Sequence, residues 1–137
     1  MLPEKLKEII EDFKILDTQD ERYEALIELG QELPEFPENL KTERNLIAGC
    51  MSEVYIDVTV EGNNVKIQGW AQSVLVKGLI AVFVLGLNNL TVEELLSISP
   101  DFITETGITS SLTSSRANTP LTVLETIKNR IRRQTNN

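Results

Sequence analysis

One side chain in this sequence of 137 residues is equipped for nucleophilic chemistry at sulfur. It is Cys50, the only cysteine, placed directly after Gly49. A thiolate rather than a thiol is the attacking species, and an ordinary thiol is only a few per cent ionised at neutral pH. A nearby cation or a partner's pocket has to raise that fraction. The chain contains no histidine, which removes the Cys–His dyad, the Ser–His–Asp triad and imidazole metal sites together. A single cysteine forms no internal disulfide and supplies too few ligands for a zinc or iron–sulfur site. The acidic residues show no EF-hand spacing. No cofactor and no metal are therefore expected, and the chemistry is either simple or shared with a partner. A lone cysteine in a globular chain is most often a small buried hydrophobe. Cys50 stands outside every periodic apolar face, and Gly49 lets the backbone turn sharply there. That position favours an accessible thiol.

The elements that must position it follow from apolar spacing. Leu6, Ile9, Ile10, Phe13 and Leu16 recur at helical intervals after Pro3. Thr18 and Glu21 stand three apart as a capping box for a second helix. That helix presents Tyr23, Leu26, Ile27 and Leu33 and stops before Pro34, and the two helices are expected to form an antiparallel pair. Residues 34–49 read as a long irregular connection, a kind of segment that often carries function. Strict alternation follows, with Val54, Ile56, Val58 and Val60 on one face and Tyr55, Asp57, Thr59 and Glu61 on the other. Gly62-Asn63-Asn64 is turn chemistry, and Val65 to Trp70 alternates again, so a β-hairpin is expected. Ser73 caps an almost wholly apolar helix, Val74 to Leu87, whose only charge is Lys77. A helix apolar on all sides belongs at the centre of a core, and this one is shorter than the roughly 20 residues a membrane span needs. Lys77 is expected to snorkel its ammonium to the surface, and Gly78 to permit close packing. Thr91 and Glu94 frame a short helix, 100–107 is helical, and Thr119-Pro120 opens the last helix with Thr119 as its cap. The fold class expected is α+β: a small antiparallel hairpin sheet packed with N- and C-terminal helices, one domain over residues 1–137.

Charge narrows the partners. The net charge is −8; residues 1–61 carry 6 basic and 16 acidic side chains, whereas residues 116–137 carry 5 and 1. An acidic chain is not held on a phosphate backbone, so no nucleic-acid partner is expected. Lys128, Arg130, Arg132 and Arg133 read as cations favoured by a helix C-terminus. No secretory leader is visible at the N-terminal end, and no membrane span is expected, so a cytoplasmic or other reducing compartment such as an organelle stroma is the expectation.

The segment Asn45-Leu46-Ile47-Ala48-Gly49-Cys50-Met51-Ser52-Glu53-Val54-Tyr55 resembles the cysteine loop of SufE-type sulfur acceptors. Three further blocks are similar in the same order: Glu28-Leu29-Gly30-Gln31-Glu32-Leu33-Pro34, Val76-Lys77-Gly78-Leu79-Ile80-Ala81 and Leu112-Thr113-Ser114-Ser115-Arg116. The resemblance implies a SufE-like fold and a persulfide carrier. A pyridoxal-phosphate-dependent cysteine desulfurase would hold sulfur as a persulfide, and the Cys50 thiolate would accept it. The acceptor would thereby stimulate the enzyme and deliver sulfur to an iron–sulfur scaffold. By the same resemblance Arg116 is the supporting cation, with a loop-pinning surface arginine as the plain alternative. Asn45, Gly49 and Ser52 would shape the loop.

The sequence departs from the family pattern at Glu53 and Tyr55, where Gln and Trp are usual. It departs again at Trp70-Ala71-Gln72 in place of an acidic stretch, at Ser111 in place of His, and at Ser114 in place of Pro. Those departures bear on docking rather than on the thiol. Two other classes remain open: a docking or regulatory adaptor of the same fold that does not use the thiol, and a redox-sensing thiol protein. In the free protein Cys50 is expected to be partly sheltered, because a persulfide is readily lost to stray thiols and oxidants.

Overall fold

The computed structural model describes residues 2–47, 52–108, 112 and 117–135. Two helices, α1 (Glu4–Lys14) and α2 (Gln19–Gly30), precede the strands β1 (Val54–Glu61) and β2 (Asn64–Ala71). Four described helices follow: α3 (Val74–Leu87), α4 (Val92–Leu96), α5 (Asp101–Glu105) and α6 (Thr119–Thr135). The architecture is α+β, with a two-stranded antiparallel sheet.

Local signals account for most boundaries. Both capping boxes form: Thr18 and Glu21 satisfy each other's backbone N–H groups at the start of α2, and Thr91 and Glu94 do so at α4. The Ser73 hydroxyl accepts from the Val76 N–H at the start of α3. Gly62, at φ 64°, takes the left-handed first position of the two-residue turn between Glu61 and Asn64. The last helix begins one residue earlier than expected. Thr122 N–H donates to Asn118 O, so Thr119 is already helical and Pro120 lies inside the first turn.

Helix α3 is the hub, as its all-round apolarity demands. Leu79, Ile80, Phe83, Val84 and Leu87 are fully buried, and α1, α2, β2 and α6 all pack on it. The expected α1–α2 pair is replaced by this arrangement: each of the two packs mainly on α3 rather than on its neighbour in sequence. Helix α2 lies so close that backbones touch. A Cβ on Gly78 would stand 1.9 Å from the Leu26 carbonyl oxygen, and one on Gly30 would stand 2.9 Å from the Gly78 nitrogen. This rotation of α2 directs Leu26 and Leu29 inward and leaves Ile27 exposed, contrary to its sequence reading.

The register Val54↔Ala71, Ile56↔Gly69 and Val58↔Ile67 puts one face of the hairpin onto α3. There a Cβ on Gly69 would meet Ile80 at 2.5 Å and Val84 at 3.2 Å. The opposite face is not simply solvated. The segment before β1, with a 3₁₀ turn at Glu38–Leu40, folds over it and buries Phe36 and Asn45. Asp57, on this second face, is accordingly buried.

Both edges of this small sheet are closed. On β2, Ile67 N–H donates to Asn88 Oδ1 at 3.0 Å, and Asn88 Nδ2 donates to Ile67 O at 2.8 Å. On β1, Gln134 does the same job: its Nε2 donates to Val58 O at 2.7 Å, and Val60 N–H donates to its Oε1 at 3.0 Å. Each amide stands in for the peptide of a missing third strand, blunting an edge that would otherwise invite pairing. Replacing Asn88 by alanine is expected to cost about 1–2 kcal/mol and to speed amide hydrogen exchange selectively at Ile67. Unchanged exchange there would mean that the side chain does not close the edge.

Candidate functional site

The thiol loop hangs from the outer edge of β1. Ile47 N–H donates to Val54 O at 2.9 Å and Ile56 N–H donates to Asn45 O at 2.9 Å, so residues 45–47 run antiparallel to 54–56 through an isolated bridge, Leu46 to Tyr55. On the other side Gln72 N–H donates to Glu53 O at 2.9 Å, while Glu53 N–H reaches Gln72 Oε1 at 3.3 Å. Residues 48–52, which contain the thiol, are thus bracketed by two backbone-pinned positions, Ile47 and Glu53. Gly49, Cys50 and Arg116 themselves lie outside the described residues, as do Ser111, Ser114 and the expected sheltering of the sulfur.

Asn45 and Ser52 are described. Ser52 is half-buried at the entry to β1. Asn45 is 3% exposed, and its Nδ2 donates both to Leu40 O at 2.9 Å and to Asp57 Oδ1 at 3.1 Å. It ties the preceding turn to the centre of β1. Asp57 is held further by the Thr59 hydroxyl, which donates to Oδ2 at 3.3 Å. Asn45→Ala would leave the buried Asp57 carboxylate and the part-buried Leu40 carbonyl each short of one donor. A loss of about 1–3 kcal/mol in denaturant unfolding is expected, with faster exchange of the Ile47 and Ile56 amides. Unaltered stability would contradict the bridging role.

The positions that depart from the family pattern converge. Tyr55 pairs with Trp70 across the hairpin, with ring centroids 5.9 Å apart, and Phe36 stacks on Tyr55 at 6.3 Å. The Tyr55 hydroxyl donates to Glu53 Oε2 at 3.4 Å. Desolvation first, and then the Glu53 charge, hold that phenol above its ordinary pKa. Lys41 Nζ lies 4.0 Å from the Trp70 ring centroid and 3.2 Å from Glu38 Oε2. Glu53, Tyr55, Trp70 and Gln72 therefore form one corner beside the thiol loop. Sequence reading separated them because the strand register that joins them is a tertiary fact. Lys77 is half-buried and borders this corner's cleft of about 230 Å³ with Glu35 and Glu38, consistent with its expected path to the surface.

The basic C-terminal helix has a role that charge alone did not indicate. Lys128 is buried, and its ammonium donates to the Ile98 carbonyl just beyond α4. Arg130 is half-buried, and its guanidinium donates to the Ile56 carbonyl on the edge of β1. Burial, more than any neighbour, lowers its pKa, and Asp57 opposes that effect. These two cations fasten helix to helix and helix to sheet rather than merely complementing a helix terminus. A signal existed in the sequence: Lys128 sits one residue after Ile127, on the flank of the apolar stripe Leu124–Ile127–Ile131. Among the described residues no three His, Cys, Asp or Glu side chains gather to hold a metal, and no helix is long and apolar enough to cross a membrane.

Comparison with known proteins adds to this geometry. Residues 7–131 match the family model described as "SufE: Fe-S metabolism associated domain". A SufE-like protein of Synechocystis is 43% identical over 85% of this chain and 74% of its own length. The chloroplastic/mitochondrial SufE-like protein 1 of Arabidopsis thaliana is 38% identical over 90% of this chain, which spans 34% of that protein's length. The Plasmodium falciparum protein named "Cysteine desulfuration protein SufE" is 33% identical over 93% of this chain and 53% of its own length. The solution structure of a hypothetical protein from Thermus thermophilus superimposes with a TM-score of 0.81, covering 97% of each chain at 24% identity, and bears on the fold alone.

Proposed function

Because the chain belongs to the SufE family, whose domain is associated with iron–sulfur metabolism, we propose that it is a sulfur carrier working through Cys50. The sulfur donor is the persulfide of a PLP-dependent cysteine desulfurase. The Cys50 thiolate attacks the terminal sulfur of that persulfide. A new S–S bond forms at Cys50, the donor's S–S bond breaks, and the donor cysteine leaves as a thiolate. Clearing the blocked cysteine stimulates the enzyme, and the Cys50 persulfide hands its sulfur to an iron–sulfur scaffold. The Plasmodium relative's name, a cysteine desulfuration protein, supports the desulfurase as donor.

The observation that carries the reading is the two-sided anchoring of residues 48–52, by Ile47 on Val54 and by Glu53 on Gln72. A carrier thiol has to enter another protein's site and return, so its loop needs fixed ends on a rigid scaffold. The charge that favours the thiolate is assigned to Arg116 and to the partner's pocket, and Asn45, Gly49 and Ser52 shape the loop. The reaction requires a reducing compartment, cytoplasm or organelle stroma.

The test is intact-protein mass spectrometry after incubation with a cysteine desulfurase and free cysteine. A gain of one or more sulfur atoms, reversed by reductant and mapped to the Cys50 peptide, is the expected result. Folded, reduced protein that gains no sulfur from any desulfurase it binds would overturn the carrier reading.

A further inference from the structure

Three arginines stand together in a chain of net charge −8. Arg44, on the ascending limb of the thiol loop, and Arg130 and Arg133, one turn apart on α6, line a cavity of about 450 Å³ together with Gln134. The same three line an adjoining cavity of about 240 Å³ that also takes in Leu46. The two make one groove between residues 44–46 and α6. Arg44 and Arg133 are exposed, and among the described residues no carboxylate forms an ion pair with either. One carboxylate, the buried Asp57, acts on Arg130, and it also accepts hydrogen bonds from Asn45 and Thr59. Burial lowers the Arg130 pKa most, the Asp57 charge opposes it, and Arg133 and Arg44 add smaller repulsions that lower it further. Three guanidinia around one groove, with a single buried carboxylate acting on them, on an otherwise acidic molecule, leave a place for an anion from outside.

We infer that this groove docks an acidic segment of the sulfur-donating enzyme, one bearing at least two carboxylates and an apolar side chain that covers Leu46. The inference rests on the carrier reading for the identity of the partner. One feature favours a protein segment over a small anion: the lining presents an apolar side chain, Leu46, 39% exposed, beside the guanidinia. Its position gives the docking a purpose. Leu46 precedes Ile47, where the thiol loop leaves the sheet edge, so a segment lodged there sets the loop's register on the enzyme. Nucleic acid is disfavoured by the acidic remainder of the chain.

The experiment is the double variant Arg44→Glu/Arg133→Glu, with Arg130 left intact because it bonds to the Ile56 carbonyl. Both changed residues are exposed, and an unchanged melting curve verifies the fold. The carrier concentration for half-maximal desulfurase stimulation is expected to rise about tenfold, with sulfur loading of Cys50 at saturation preserved. Binding of the wild type is expected to weaken between about 0.05 and about 0.5 M salt, and binding of the variant to respond little. An unchanged half-maximal concentration would overturn the docking proposal. So would a variant that loses only the binding of inorganic phosphate, read by titration calorimetry, because the groove would then be a small-anion site. Direct binding of the desulfurase to Cys50→Ser, with and without the arginine changes, separates the two readings. If the wild type gains no sulfur while the arginine changes still weaken binding, the carrier reading fails and the groove stands.

Discussion

Gly78→Ala is expected to be among the most destabilising single substitutions in this protein, although on helix propensity alone it should help. Alanine in a helix interior is favoured over glycine by about 1 kcal/mol. Against that, the new Cβ would lie 1.9, 2.4 and 2.9 Å from the carbonyl oxygen, carbonyl carbon and Cα of Leu26. All three are backbone atoms, so no rotamer change relieves the clash, and α2 has to move off α3. Moving it uncovers Leu26, which is fully buried, and separates Gly30 from Gly78. Overpacking of a well-filled core costs about 1–3 kcal/mol where side chains can yield, and more where they cannot. A net loss of about 3 kcal/mol is expected, lowering the melting temperature by roughly 10 °C. Gly86→Ala is the control: its tightest neighbour is Leu6 Cδ1 at 3.0 Å, the far end of a flexible side chain, and Leu6 Cβ follows at 3.3 Å, so its effect should be much smaller. Equal melting of Gly78→Ala and wild type would show that the two helix backbones do not meet there.

Cys50→Ser is expected to abolish sulfur acceptance and to bring desulfurase stimulation to background. A serine hydroxyl is scarcely ionised at neutral pH and forms no persulfide. Binding to the desulfurase should survive, because the proposed docking groove and the aromatic corner lie outside the substituted residue. That split, with chemistry lost and affinity kept, is what distinguishes a carrier from its two rivals. Full stimulation by Cys50→Ser would establish a docking adaptor that does not need the thiol. A wild type that forms a mixed disulfide with a partner under oxidant, yet never gains sulfur from a desulfurase, would establish a redox-sensing thiol.

The candidate site was readable in one dimension and incomplete in three. Cys50 stood out because the sequence offers no second cysteine and no histidine, so elimination required no structure. Asn45 offers an amide that can bridge backbone groups on either side of it. Its two acceptors, Leu40 and Asp57, are 5 and 12 residues away, and only the second required the hairpin to be built. Arg44, one arginine in an irregular stretch, carries no sequence pattern. It gains meaning from Arg130 and Arg133, which come from the far end of the chain and reach it across the edge of β1.

By itself the sequence determined what short-range physics decides. The capping boxes Thr18–Glu21 and Thr91–Glu94, the cap at Ser73, the turn at Gly62 and the period-two hairpin all depend on groups within a few residues of one another. The central place of α3 was also legible, since a helix apolar on every side has nowhere else to go. What only the tertiary structure decided is how those elements meet. Periodicity shows that a helix has an apolar face but not which partner covers it, so α1 and α2 went to α3 instead of to each other, and Leu29 replaced Ile27 at the interface. Burial of Asp57 and Lys128 was equally hidden. A charged residue can enter a core wherever distant donors or carbonyls happen to satisfy it, and those partners are brought within reach only by the completed fold.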